Sequence, residues 1–287
     1  MALNCNAICG QEARHDRSEA ETRGPKTGHL ALHGGGEDTS VRTFSIVEDL
    51  ARSQLNKGDV LNVVIVPTAK STYNDTISQR ARLALLAMFR FSDKINLSCL
   101  HTRDRKVADS EEFCAPLKEA HLVLIPGGFA RLLEDAYVGT RFQDSLWEVL
   151  DRGGVVAGGS AGAIIQSTIT SRNTAGKAGF DLLTNSVVDV HVAERNRQDY
   201  LVKMFRNEKF DKERLLGIGI DEGVLAVVSQ DILEVFGEGN VLIVNPREWK
   251  EGEAPLCETL SEGDRYDLKN RKRLLKHEVP AATGITN

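Results

Sequence analysis

The stretch VVAGGSAGAIIQ, residues 155–166, decides the fold. An apolar run typical of a buried strand ends in small residues, a serine stands among them, and the apolar residues that follow favour a helix. Ser160 therefore lies on a predicted tight strand-to-helix turn. At such a turn the main-chain N–H of Ala161 and the helix dipole favour a developing oxyanion. The pattern predicts a nucleophile elbow, with a plain structural turn or a phosphate cradle as the alternative.

Apolar bursts of strand length alternate with segments of helical period on both sides of this turn. The alternation predicts an α/β fold with a mostly parallel, doubly wound sheet flanked by helices, of the flavodoxin-like class. The expected strands fall at residues 29–33, 63–66, 95–100, 122–125 and 155–157, with expected helices around residues 44–51, 83–88 and 142–150. In the C-terminal third, bursts at residues 224–228, 232–236 and 241–244 predict antiparallel strands that extend the sheet.

The chain of 287 residues is long enough to bury one large core, and a single domain is the simpler expectation. We assign residues 28–272 to this domain and residues 273–287 to a C-terminal tail. Residues 1–27 are expected to be a flexible leader, because their polar residues cannot offset the ordering entropy by burial. They carry no pattern typical of an export signal.

Charge and cysteine content narrow the class of protein. A formal net charge of -5 argues against nucleic-acid binding, which usually needs a clustered basic face, and no apolar run reaches membrane-spanning length. The cysteines are odd in number and scattered, which favours reduced thiols and a cytoplasmic location. They are Cys5, Cys9, Cys99, Cys114 and Cys257.

A serine hydroxyl needs a base to become a good nucleophile. His191 is the best candidate, because it directly follows the apolar burst at residues 187–190, although a histidine after a strand is more often structural. Gly128, which follows the strand at residues 122–125, could supply a second oxyanion donor beside Ala161. Arg195 and Arg197 could hold a substrate carboxylate by forked hydrogen bonds, and a solvated helix terminus is the alternative.

Taken in order, the motifs resemble the cyanophycinases, serine peptidases related to aspartyl dipeptidases with a class I glutamine-amidotransferase-like fold. The resemblance covers roughly residues 28–272. It is carried by six motifs, HGGGED at residues 33–38, IVPTA at 65–69, IPGG at 125–128, GSAGA at 159–163, DVHVAERNR at 189–197 and GIGIDE at 217–222, and by a closing segment LSEGDRYDL at 260–268.

The resemblance implies cleavage of β-linked aspartyl substrates such as cyanophycin, with Ser160 as nucleophile and His191 as general base. It implies that Asp189, Arg195 and Arg197 belong to the substrate-binding site. No metal or organic cofactor is implied, and a homodimer is suggested by the related enzymes.

The chain departs from the family pattern around the expected substrate site. Phe129 and Ala130 stand where cyanophycinases usually have Asp and Gln, Val190 stands where they have Gln, and Tyr200 stands where an arginine is common. Phe129 is therefore the expected substrate contact at its position. A catalytically degraded binding or sensor protein is the alternative function. An amidotransferase-like enzyme with a cysteine nucleophile is disfavoured, because position 160 is serine.

The third catalytic residue is the least defined part of the expected site. The family places an acid between the serine and the histidine, and Asp181 is the candidate in that interval, with Asn173 as a weaker substitute. An acid that orients the imidazole contributes several orders of magnitude in rate. The sequence therefore predicts a Ser160–His191 pair oriented by Asp181.

Overall fold

The computed structural model describes residues 22–36, 41–72, 94–171, 176–250, 255 and 257–275. Within them the larger of two sheets has nine strands. The first five strands of the chain, β1 to β5, run parallel to one another, and the other four pair antiparallel. From edge to edge they are β15 (Lys272–Leu274), β14 (Arg265–Asp267), β11 (Ile232–Phe236), β10 (Leu225–Ser229), β1 (His29–His33), β5 (Val155–Gly159), β4 (Leu122–Ile125), β2 (Leu61–Ile65) and β3 (Ile95–Cys99).

The smaller sheet has six strands in the described part of the chain, with β6, β8 and β9 parallel to one another. From edge to edge they are β13 (Cys257–Leu260), β12 (Val241–Val244), β9 (Leu216–Ile220), β8 (Leu183–Val190), β6 (Ser167–Thr170) and β7 (Lys177–Ala178). The expected strand at 241–244 therefore exists but belongs to this second sheet, whereas β10 and β11 extend the larger sheet as expected.

Helices cover the sheets in layers because each has one apolar face. The described α-helices are α1 (Val41–Arg52), α2 (Arg105–Ala108), α3 (Glu111–Cys114), α4 (Ala130–Tyr137), α5 (Arg141–Asp151), α6 (Ala161–Ile164) and α7 (Gln198–Phe205), with short 3-10 turns at Pro67–Ala69, Ala115–Glu119 and Pro246–Glu248. The main core lies between the two sheets and includes α4 to α6. Helix α1 covers the other face of the larger sheet, and α7 covers the other face of the smaller one.

The predicted fold class is confirmed, including the helices that correspond to α1 and α5. In α5 the four apolar residues that predicted the helix have no exposed surface, so this face contributes roughly 1.5–3 kcal/mol for each large side chain. They are Phe142, Leu146, Val149 and Leu150. The helix expected around residues 83–88 lies outside the described residues.

The packed part of the chain begins before the expected boundary at residue 28. The main-chain N–H of Arg23 donates to Asp231 at 2.7 Å, and its guanidinium donates to the carbonyls of Asn185 and Arg214. A single arginine thus bridges both sheets, because Asp231 precedes β11 and Asn185 lies in β8. The first 21 residues, and residues 276–287 of the expected tail, lie outside the described residues.

Candidate active site

Ser160 lies between the end of β5 and the start of α6, on the turn that the sequence predicts. Its φ of 52° and ψ of -112° are unusual for a non-glycine residue. The N–H of Ser160 donates to the carbonyl of His33 at 3.0 Å, which ties the turn to the neighbouring end of β1. Backbone strain held by such surroundings is typical of functional sites, and here it fixes the direction of the hydroxyl.

His191 lies directly after β8, in the second sheet, and its imidazole meets the serine. The Oγ of Ser160 and the Nε2 of His191 are 2.8 Å apart, a hydrogen-bond distance. The histidine is 5% exposed, whereas Ser160 is partly exposed, so the serine is the member of the pair that a substrate can reach. The structure thus brings together the two residues that the sequence predicted as nucleophile and base.

The Nδ1 of His191 is hydrogen-bonded to Oε1 of Glu222. Glu222 comes directly after Asp221, just beyond the end of β9. Since β8 and β9 are parallel and Val190 is level with Ile220, His191 and Glu222 leave the same edge of the smaller sheet. Glu222, not the expected Asp181, is therefore the acid that orients the imidazole in this geometry.

Asp181 is placed elsewhere by the topology. It precedes β8, whereas His191 follows it, and a strand of eight residues spans roughly 26 Å. The carboxylate of Asp181 accepts a hydrogen bond from the hydroxyl of Thr168. The alternative, Asn173, lies outside the described residues.

Residues 221–224 cross from the smaller sheet to the larger one beside the site. Gly34 donates to the carbonyl of Val224 at 2.9 Å, and Gly223 donates to the carbonyl of Gly35 at 3.0 Å. Gly35 has a φ of 102°, and a Cβ at this position would overlap the ring of His191. The glycine turn after β1 therefore packs against the imidazole, as a side chain could not.

The turn after β4 lies over Ser160, where the sequence predicted a second oxyanion donor. A Cβ on Gly127 would be 3.7 Å from Oγ of Ser160, so the turn borders the space in front of the hydroxyl. Gly128 has a φ of 153°, and a Cβ there would overlap the carbonyl of Ala69, which accepts the N–H of Phe129 at 2.8 Å. This contact fixes the loop next to Ser160, and the oxyanion donors expected at Gly128 and Ala161 stay a prediction.

The expected substrate-binding residues divide into two groups. Asp189 has no exposed surface, and its Oδ1 accepts hydrogen bonds from Ser171 at 2.9 Å and Arg197 at 3.1 Å. Arg197 also lies over the ring of Tyr200. Asp189 and Arg197 are thus held by each other, and their contact with a substrate stays a prediction.

Phe129 and Arg195 form the second group and remain exposed. Phe129 is 60% exposed although it is a large apolar residue, and it lies two residues after Gly127, which borders Ser160. Arg195 is exposed as well, and its main-chain N–H donates to the carbonyl of His191 at 3.1 Å. Both residues are therefore available to a substrate that approaches Ser160.

The described residues contain no cluster of three or more histidine, cysteine or acidic side chains that could hold a metal ion. In the same part of the chain, no helix has the length and apolar character needed to cross a membrane.

A serine, a histidine and a carboxylate in this order of contact, on an α/β fold with an elbow at the serine, define a serine hydrolase. The sequence of residues 30–235 matches the model of peptidase family S51. The chain belongs to this family, and it is a serine peptidase.

Two solved structures are similar to the chain. A peptidase from an acI-B1 Actinobacterium has 25% sequence identity and a TM-score of 0.66, and the match covers 85% of this chain and 98% of that one. A candidate peptidase E from Listeria monocytogenes EGD-e has 14% identity and a TM-score of 0.50, over 74% of this chain and 100% of that one, which supports the fold alone. No curated protein matches the chain.

Proposed function

We propose that the chain hydrolyses β-linked aspartyl or other isopeptide bonds through an acyl-enzyme on Ser160. The observation that carries the catalytic part is the continuous hydrogen-bonded series from Ser160 to His191 to Glu222. The cyanophycinase-type motifs and the exposed Arg195, which suits a substrate carboxylate, support the substrate class.

In this mechanism Glu222 accepts the Nδ1–H of His191 and leaves Nε2 free to take the Ser160 proton. The Ser160 oxygen then attacks the scissile carbonyl carbon, and the resulting oxyanion accepts hydrogen bonds from the N–H groups of Gly128 and Ala161. The C–N bond breaks as His191 returns the proton to the leaving amine. Water, deprotonated by the same imidazole, releases the acid product and restores the serine.

The remaining substrate contacts follow from exposure. We assign a direct contact to Phe129, whose exposed ring offers an apolar platform in place of the polar side chain of cyanophycinases. Asp189 and Arg197 support the loop that carries His191. We further propose that the enzyme acts in the cytoplasm, in keeping with Cys99, Cys114 and Cys257 being outside any disulfide bond, and that it forms a homodimer.

The alternative is a binding or sensor protein with a degraded site. The aligned serine, imidazole and carboxylate speak against it, because a sensor has no need of a base beside the hydroxyl. A fluorophosphonate probe separates the two functions, since the probe reacts covalently with an activated serine.

The test combines the probe with substrate. Purified protein should release dipeptides from cyanophycin or from a β-aspartyl peptide library, and Ser160→Ala should abolish both this release and the labelling. Labelling without dipeptide release would retain the serine hydrolase and reject the substrate class. A Ser160→Ala variant that keeps more than about a tenth of the activity would exclude Ser160 as the nucleophile.

A further inference from the structure

His33 is a buried imidazole beside the active site to which the proposed mechanism gives no task. It is the last residue of β1 and is 7% exposed. It is level with Gly159 of β5, and its carbonyl accepts the N–H of Ser160 at 3.0 Å. The main chain of His33 thus already holds the turn of the nucleophile.

The ring of His33 binds the part of the site that contacts His191 and Glu222. Its Nδ1 accepts the N–H of Gly35 at 3.1 Å, and this hydrogen bond is buried. Gly35 packs against the ring of His191, and its carbonyl accepts the N–H of Gly223, which follows Glu222. The His33 ring therefore fixes Gly35, which contacts both the ring of His191 and the backbone next to Glu222.

The hydrogen bond with Gly35 requires a particular protonation state. An imidazole accepts through one nitrogen only when it is neutral, so Nδ1 as acceptor places the proton of His33 on Nε2. Nε2 is buried and has no hydrogen-bond partner among the described residues. Burial, and then the neighbouring His191, lower the pKa of His33, while Glu222 opposes them. The net effect is a lowered pKa, so the His33 ring is neutral near pH 7.

We propose that His33 is a positioning residue whose neutral ring holds Gly35 against His191, and that protonation of His33 releases this support. A protonated Nδ1 would direct a donor at the Gly35 N–H, leaving that buried group without an acceptor. It would also place a second cation beside His191 when the latter receives the serine proton. The inference rests on the proposed catalytic function of Ser160 and His191.

Two substitutions separate the hydrogen bond from the shape of the ring. In His33→Asn the side-chain oxygen lies as many bonds from the backbone as Nδ1, accepts in its place and does not titrate. In His33→Leu the volume is largely kept but the acceptor is lost. His29→Leu is the matched control, because His29 lies on the same strand and face as His33 and burial also lowers its pKa. Along the strand His29 is roughly 13 Å from His33, away from Gly35.

The readout is the second-order rate of labelling by a fluorophosphonate, which needs no knowledge of the substrate. At neutral pH we expect His33→Leu to react roughly 10- to 100-fold more slowly than wild type, as small misplacements of reacting groups do. His33→Asn should stay within about threefold, since it keeps the acceptor, and His29→Leu should react like wild type. In acid, the wild-type rate should fall more steeply than that of His33→Asn, because the Asn side chain cannot be protonated and so keeps its support of Gly35.

Each contrary result has its own meaning. Equal labelling of His33→Leu and wild type, or equally slow labelling of the Leu and Asn variants, would overturn the role of the acceptor. Acid limbs of equal steepness in wild type and His33→Asn would overturn the release by protonation, even if the Leu variant failed to fold. A wild-type protein that takes up no probe would overturn the proposed function itself, and the positioning role with it.

Discussion

The environment of His191 decides what the Ser160 hydroxyl can do. The ring contacts Oγ on one side and the Glu222 carboxylate on the other, and Gly35 packs against it near Cε1. In such an arrangement the acid selects the tautomer in which Nε2 accepts a proton. Glu222 is therefore placed to act on the reaction through His191.

Glu222→Gln tests this role. The amide keeps the shape but can donate to Nδ1 and so stabilise the wrong tautomer, and we expect kcat to fall by roughly 10²–10⁴-fold with little change in KM. Asp181→Asn is the matched control and should retain nearly full activity, because Asp181 lies before β8. A larger loss from Asp181→Asn than from Glu222→Gln would contradict the geometry.

The sequence could predict Ser160 and His191 because each follows an apolar strand and carries a side chain with obvious chemistry. Glu222 also follows a strand, but it lies outside the interval between the serine and the histidine in which the family pattern places the acid. The usable signal was the apolar run at residues 215–220 followed by two acids. If β9 had been paired with β8 in parallel, Glu222 would have been placed beside His191.

At the scale of elements, the loop between β8 and α7 carries the base and is held by buried charges. Asp189 accepts from Arg197 inside the protein, and the carboxylate of Asp221 accepts the N–H groups of Ala193 and Asn240 at 2.9 Å and 3.1 Å. These contacts hold both ends of the loop. The position of His191 therefore depends on ion pairing and capping several residues away.

Arg197→Ala should destabilise the protein by about 3 kcal/mol, because it leaves the fully buried Asp189 without its cation. Arg195→Ala, two residues away and exposed, should change the free energy of unfolding by less than about 0.5 kcal/mol. Urea unfolding followed by circular dichroism measures both. Similar values for the two variants would show that the Asp189–Arg197 pair adds no stability.

The alternation of strands and helices predicted the parallel part of the larger sheet, since each βαβ unit has its own apolar pattern. The division into two sheets was not predictable in this way. β12 is as apolar as β10 and β11, and what separates it from them is its partner β9. Local periodicity does not specify which distant strands pair, so it cannot place β12 in the smaller sheet.

For the whole molecule, charge patterns were a poor guide to burial. Residues 262–275 are rich in charged side chains, yet Tyr266, Leu268 and Arg271 are buried. Arg271 donates to the side chain of Asn245 and to the carbonyls of Glu213 and Arg214. Burial, and then other arginines, lower its pKa to about 10. Main-chain carbonyls stabilise a buried guanidinium, which no count of charges reveals.

Four histidines make the stability of the whole molecule depend on pH. His29, His33, His101 and His121 each have a pKa below the usual 6.5, chiefly because burial disfavours the charged ring. The unfolded chain therefore binds protons that the folded chain does not. Their contribution to stability is complete above pH 6.5 and is lost as the pH falls through their folded-state pKa values.

We expect the urea midpoint to be lower at about pH 5.5 than at about pH 7.5, at unchanged m-value. His29→Asn should reduce the difference between the two midpoints, because it removes one of the four titrating groups. Equal midpoints at the two pH values would contradict the prediction.

The crossing at residues 221–224 has a consequence for control of the enzyme. Ser160 follows a strand of the larger sheet and His191 follows a strand of the smaller one. The 2.8 Å between Oγ of Ser160 and Nε2 of His191 therefore depends on how the two sheets are positioned relative to each other. A displacement of about 1 Å between the two sheets would therefore be enough to slow the reaction of Ser160, given how sharply rates depend on such distances.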